Sequence, residues 1–168
     1  MRSVLLLLAA GVATIGFSIP SHARVQSVSL QVDGLACPFC AYGLEKKLNK
    51  VEGVEKLTID LESGRVHLTL KGDVKLGGEE GPGLVSLARK AVKDGGFTVR
   101  EVRATVDGTV KGVPGEWRLD VAETDEVIRL KGKNTKLPAE SNLVVTGLIG
   151  EEGGEIVLTI ENIGKVAN

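Results

Sequence analysis

The sequence predicts an α+β protein in which a ferredoxin-like βαββαβ unit is followed by a small all-β barrel. Strand-type and helix-type patterns of apolar residues follow one another in the order βαββαβ as far as about residue 104. Beyond that point the apolar runs are short and strand-like, and turns containing Gly or Pro separate them. The charge changes at the same place: residues 24–104 carry 13 Lys and Arg against 11 Asp and Glu, whereas residues 105–168 carry 7 against 11.

The first 23 residues have the pattern of a secretion signal. Arg2 supplies a positive start, residues 4–13 form an uncharged apolar run, and Ser21-His22-Ala23 has the small residues of a cleavage site. The run is shorter than the roughly 20 residues that a membrane-spanning helix needs. We therefore expect a signal peptide over residues 1–23 and a periplasmic mature protein that does not insert into a membrane.

The predicted ferredoxin-like unit occupies residues 24–104. Its first strand, at residues 25–33, alternates apolar and polar positions, and its first helix covers residues 38–51. Pro38 suits the first turn of a helix, because its missing N–H would have no partner there. The remaining elements are a β-hairpin, a second helix and a fourth strand, expected at residues 54–61 and 65–70, 84–92 and 97–104.

The predicted barrel occupies residues 105–168. Its five strand-like runs fall near residues 102–110, 118–121, 127–130, 143–148 and 155–160, and closing them into a barrel would hide their edges. The spacing resembles an OB-fold, particularly in "EVRATVDGTVKGVPGEWRLDV" and "NLVVTGLIG", and we expect an OB-like barrel with Trp117 in its core. Because no low-complexity linker precedes it, we expect one continuous strand to join the two domains.

Cys37 and Cys40 form the clearest chemical site. A C-x-x-C motif at a loop-to-helix junction can turn both sulfurs toward one point, and the positive end of the helix dipole favours the thiolate. Thiolates are soft ligands suited to Cu(I), Hg(II) and Zn(II). Because the motif supplies two sulfurs and no nearby His, it does not complete a four-ligand zinc site. Cu(I) or Hg(II) is therefore favoured over Zn(II).

The surrounding sequence resembles a heavy-metal-associated domain. The resemblance lies in "VDGLACPFCAYGLEKKLNKVEGVEKLTIDLESGRVHLTL", followed by "ARKAVKDGGF", and it covers about residues 25–103. Its motifs are the cysteine loop at residues 34–40, "VEGV" at residues 51–54 and "GGF" at residues 95–97. This family includes periplasmic mercury-binding proteins and copper chaperones.

The resemblance implies that Cys37 and Cys40 ligate a metal ion for sequestration or for transfer to a partner by thiol exchange. The implied partner is a membrane transporter or another metal-binding protein. Phe97 falls where the family has an aromatic residue beneath the metal loop, so we expect it to shield the sulfurs. Two positions depart from the family pattern: Leu35 stands where Met is usual, and the spacer Pro38-Phe39 is bulkier than is common in carriers.

The sequence is also compatible with other functions. The same cysteines could serve a thiol-disulfide redox protein or form a structural disulfide, which an oxidising compartment would favour. We find no nucleophile-base or paired-carboxylate pattern and expect no enzyme. The formal net charge of -1 argues against a nucleic-acid partner. His67 alternates with apolar neighbours and is expected on the outer face of the sheet.

Overall fold

The computed structural model describes residues 24–78, 81–132 and 137–166, and the expected signal peptide lies outside them. Within these ranges the chain forms eight strands and two helices. In chain order they are β1 (Val25–Asp33), α1 (Pro38–Leu48), β2 (Val54–Asp60), β3 (Arg65–Leu70), α2 (Leu84–Asp94), β4 (Thr98–Val113), β5 (Glu116–Val121), β6 (Glu126–Lys131), β7 (Ser141–Glu152) and β8 (Glu155–Lys165). Neither helix is long and apolar enough to cross a membrane, as far as the described residues go.

The first six elements confirm the predicted βαββαβ order. Their strands form an antiparallel sheet in the order β2-β3-β1-β4, with β2 at its edge. Both helices pack on one face of this sheet, where Leu30, Leu44 and Leu68 are fully buried. The other face is polar, and His67 is exposed on it, as the alternation in the sequence predicts.

Five strands form the closed barrel that the sequence predicts. Hydrogen bonds connect β4, β5, β6, β8 and β7 in that order, and β7 returns to β4. The pairs are antiparallel except for β6 with β8, which run parallel. Trp117 is buried in the barrel, as expected, together with the fully buried Leu119, Ile128 and Leu158.

Strand β4 belongs to both the sheet and the barrel. It pairs with β1 over residues 98–106, with β7 over residues 103–110 and with β5 over residues 109–113. The boundary expected between residues 104 and 105 therefore falls inside this strand. β4 is thus the continuous strand expected to join the two domains. The runs predicted at residues 97–104 and 102–110 form one strand, and it extends to Val113 because β7 and β5 provide hydrogen-bond partners beyond the residues that pair with β1.

A second contact joins the two halves of the molecule. The segment between β3 and α2 lies against the barrel, where the Glu126 carboxylate accepts hydrogen bonds from the backbone N–H groups of Leu76 and Gly77, at 2.9 and 2.7 Å. Ile156 closes over the same segment so tightly that a Cβ on Gly77 would lie 2.6 Å from its Cγ1 atom. The barrel is thus held to the sheet by a shared strand and by a packed loop.

Candidate metal centre

The two cysteines lie where the chain leaves β1 and enters α1. Gly34 turns the chain with a φ of 81°, a left-handed conformation that glycine adopts without strain. Leu35 follows and is 2% exposed, so it fills the core position that the family gives to Met. Cys37 is then the N-cap residue, with extended backbone, and Pro38 begins the helix. This local sequence places a sulfur at each end of the first helical turn.

The structure brings both predicted ligands together at the surface. Cys37 is half-buried and Cys40 is exposed, and both are free thiols. The carbonyl of Cys37 accepts a hydrogen bond from the N–H of Ala41 at 3.0 Å, which closes the turn between the sulfurs. Among the described residues, no cluster of three or more His, Cys, Asp or Glu side chains could hold a metal ion. The thiol pair therefore offers two ligands and leaves further coordination to an outside group.

The two thiols differ in acidity. A hydrogen bond from the Cys40 side chain holds the pKa of Cys37 below its ordinary value, and the backbone N–H groups of Cys40 and Phe39 act in the same direction. The same hydrogen bond raises the pKa of Cys40, and desolvation and repulsion from the Cys37 thiolate raise it further. Cys37 is therefore the first of the pair to become a thiolate, the form that binds metals and attacks disulfides.

The residues behind the loop keep it in place. Phe97 is half-buried, and its ring lies beneath Gly34, where a Cβ would come 3.9 Å from the ring atom Cδ1. Asp33 forms an ion pair with Arg100 at 2.6 Å across the ends of β1 and β4. Phe97 thus packs against the start of the cysteine loop, as the family resemblance implies. The expectation that it shields the sulfurs themselves remains a prediction.

Two aromatic side chains stand exposed beside the thiols. Phe39, between the cysteines, is 88% exposed, and Tyr42, one turn further along α1, is 59% exposed. The ammonium group of Lys46 lies over the Tyr42 ring, 4.4 Å from its centre. The Pro38-Phe39 spacer is unusual in the sequence itself, but the exposure of the Phe39 side chain is visible only in the structure.

The thiol site and the barrel lie at opposite ends of the sheet. The cysteine loop follows Asp33, which pairs with Thr98 at the start of β4, whereas the barrel strands join β4 from Arg103 onward and surround its other end. About ten residues separate Thr98 from the centre of the barrel portion, which corresponds to roughly 33 Å of extended strand. The first barrel pairing along β4, between Arg103 and Leu148, therefore lies five residues beyond the Thr98 end that carries the thiol site.

Known proteins are similar to the part of the chain that carries the two cysteines. A family model described as a heavy-metal-associated domain matches residues 29–97, which include Cys37, Cys40 and Phe97. The matched range ends at Phe97, directly before β4, so the barrel lies outside it.

Three characterised relatives are similar to parts of the chain. The mercuric transport protein periplasmic component of Serratia marcescens is 32% identical over 78 residues, which make up 46% of this chain and 77% of the relative. The protein of the same name from Acinetobacter calcoaceticus is 31% identical over 88 residues, 52% of this chain and 88% of the relative. The copper chaperone CopZ of Bacillus subtilis is 29% identical over 49 residues, 29% of this chain and 71% of the relative.

Proposed function

This chain belongs to the heavy-metal-associated domain family, and on that premise we propose that it binds a soft metal ion through Cys37 and Cys40. The observation that carries the proposal is the position of both thiols on the exposed first turn of α1, with Cys37 predisposed to ionise. Cu(I) and Hg(II) are the favoured ions, because both accept two thiolates as a complete set of ligands, whereas Zn(II) requires four.

The bound ion is cargo that the protein sequesters or passes to a partner. A thiolate of the partner adds to the metal and forms a three-coordinate intermediate, after which one of the two cysteines leaves. The exposure of Cys40 gives the incoming thiolate access on that side.

We propose that the protein works in the periplasm. Residues 1–23 have a signal-peptide pattern, and two of the relatives are named as periplasmic components of mercuric transport. A membrane transporter or another thiol-bearing metal-binding protein is the fitting partner, because transfer requires a soft ligand on the receiving side.

We further propose a division into a heavy-metal-associated domain at residues 24–104 and an OB-like barrel at residues 105–168. The closed strand order β4-β5-β6-β8-β7 and the parallel pairing of β6 with β8 support an OB-like description. The barrel serves as a structural or docking module, since it stands at the far end of the sheet from the thiols.

Metal titration of the reduced mature protein tests the proposal. We expect one Cu(I) or Hg(II) per chain, bound more tightly than micromolar, in competition with a chelator of known affinity. Replacement of either Cys37 or Cys40 by Ser should abolish tight binding, and Ser63→Ala, a polar change in the β2–β3 turn, serves as the control. Binding that persists in both single cysteine variants, or no binding by the reduced protein, would refute ligation by this pair.

The acidity difference between the thiols supports a second candidate, a thiol-disulfide redox protein. An acidic, accessible Cys37 next to a less acidic Cys40 is the arrangement of a nucleophilic thiol with a resolving thiol. The reduction potential of the pair and its ability to catalyse disulfide exchange distinguish the candidates. Catalysed exchange without thiol-dependent metal binding would favour the redox function.

A further inference from the structure

An open apolar groove runs between α1 and the edge strand β2. It has a volume of about 250 Å³, and Pro38, Ala41 and Tyr42 form its helix side while Leu57, Ile59 and Leu61 form its strand side. A cavity of about 150 Å³ is sufficient to hold a benzene ring. Because β2 is the edge of the sheet, no neighbouring strand covers this groove within the described part of the chain.

The same helix carries a side chain that fits such a groove. Phe39 is 88% exposed, and it lies next to the groove-lining Pro38 on the first turn of α1. Its position is three residues from Tyr42, so the two aromatic side chains are neighbours on the helix surface. Exposed aromatic side chains beside an apolar groove are typical of a protein-protein contact site.

The charges on the two sides of this surface have opposite sign. Glu45 lines the groove, and Glu62 follows the groove residue Leu61. Lys46 lies two turns from Phe39 on the same side of α1, and Lys50 follows in the turn after the helix. Among the described residues, Glu45 and Lys46 form no ion pair with each other, and the lysine instead covers the Tyr42 ring.

From this arrangement we infer that the occupant of the groove is a second copy of this chain. A two-fold axis near Tyr42 would place Phe39 of each protomer in the groove of its partner, and it would bring Lys46 of each protomer to Glu45 of the other. A two-fold contact requires one surface that is complementary to itself. A surface meets this requirement when a projecting side chain and a cation on one side of the axis face a recess and an anion on the other side. The outer face of α1 has these features, with Phe39 and Lys46 on one side and the groove and Glu45 on the other. A partner surface with charges of a single sign would attract only one of the two charged residues.

The dimer leaves the Cys40 thiol accessible. Cys40 lies two residues from Tyr42, which is a rotation of about 200° around the helix, so its side chain points away from the two-fold contact. The association depends on Phe39, Glu45 and Lys46, not on a metal, and it is therefore independent of the proposed function.

Sedimentation velocity on the reduced mature protein, with a metal chelator present, tests the inference. From about 1 µM to 1 mM, the range of weak interfaces, we expect a monomer-dimer equilibrium. Phe39→Ala should weaken dimerisation at least about tenfold, as removal of a central aromatic anchor does. The Cys37→Ser/Cys40→Ser variant should dimerise like the native protein, which separates this contact from a dimer bridged by metal or by disulfide.

Charge exchange provides the sharper experiment. Glu45→Lys and Lys46→Glu should each weaken the homodimer, because each places like charges across the axis. An equimolar mixture of these two variants should form a heterodimer, since both cross-axis pairs are then attractive, and the double variant should recover the homodimer. A monomer at every concentration, species larger than a dimer, or no heterodimer from the mixture would overturn the inference.

Discussion

Glu126 accepts a hydrogen bond from the backbone N–H of Gly77 at 2.7 Å, although the two residues are 49 positions apart in the chain. The second oxygen of the same carboxylate binds the N–H of Leu76 at 2.9 Å. One side chain of the barrel thereby satisfies two successive amides in the segment that leads into α2. Because this contact joins the sheet to the barrel, its contribution can be tested by measuring the free energy of unfolding of variants.

Replacing Glu126 by Ala is expected to lower the free energy of unfolding by about 1–3 kcal/mol, because two part-buried amide groups lose their acceptor. Chemical denaturation followed by the fluorescence of Trp117, the single tryptophan, provides the measurement. Glu116→Ala, an exposed change on β5, is the matched control and should stay within about 0.5 kcal/mol of the native protein. Equal effects of the two substitutions would show that the hydrogen bonds of Glu126 do not add to the free energy of unfolding.

The stability contribution of Glu126 should depend on pH. Burial raises the pKa of this carboxyl, and the amides of Gly77 and Leu76 and the charge of Lys75 oppose the shift only in part. A carboxyl whose pKa is higher in the folded protein than in the unfolded chain stabilises the fold most at low pH. This holds at pH values below its pKa in the unfolded chain, about 4.3, where the carboxyl is protonated in the folded and the unfolded protein alike. Its contribution then declines as pH rises through the higher pKa of the folded state. The stability of the native protein minus that of Glu126→Gln should therefore fall as pH rises above about 4.3, and a difference that grows with pH would contradict this assignment.

Gly77→Ala should destabilise the protein by about 1–3 kcal/mol, because the added Cβ would lie 2.6 Å from the Cγ1 atom of Ile156. Gly150→Ala is a suitable control, since the nearest atom to its Cβ would be 4.0 Å away. In a double-mutant cycle, Ile156→Ala should remove much of the penalty at position 77. Additive effects of the two substitutions would mean that these side chains do not meet.

Alkylation rates should distinguish the two thiols. At neutral pH we expect iodoacetamide to react first at Cys37, with a pH midpoint below the ordinary cysteine pKa of about 8.5. Cys40→Ala removes the hydrogen-bond donor, so the midpoint for Cys37 should rise. In Cys37→Ala, the remaining Cys40 should become more acidic, because the contacts that raise its pKa come mainly from Cys37. Mass spectrometry of the alkylated peptides measures each rate, and equal midpoints in the native protein would contradict the assigned order.

Local patterns in the sequence predicted most elements, because alternation and helical spacing are properties of neighbouring residues. The strands from Val25, Val54 and Arg65 and the helix from Leu84 begin where those patterns place them. The proximity of Cys37 and Cys40 was equally predictable, since both belong to one helical turn, whereas their role as ligands stays a prediction. α1 is shorter than expected and ends at Leu48, because the last residues of the predicted helix form a turn before β2.

Features that depend on distant residues were not predictable. Nothing near Glu126 distinguishes it from a surface acid at the start of a strand, since its partners lie 49 and 50 positions away. β4 was expected as a continuous strand as far as about residue 110, but its extension to Val113 was not predicted. Beyond Gly108 the strand is held by β5, whose Asp120 carbonyl oxygen would lie 2.7 Å from a Cβ at that position. Only the assembled barrel explains why a glycine stands there.

The shared strand β4 has a mechanical consequence for the metal transfer proposed above. Because sheet and barrel are built on the same extended backbone, the thiols do not sample space on a tether, as they would at the end of a flexible linker. If the barrel is fixed to a surface, the cysteine loop is held at a nearly constant distance from it, roughly 33 Å from the centre of the barrel portion of β4. In the proposed transfer, the recipient protein must therefore bring its own thiols to the fixed position of Cys37 and Cys40.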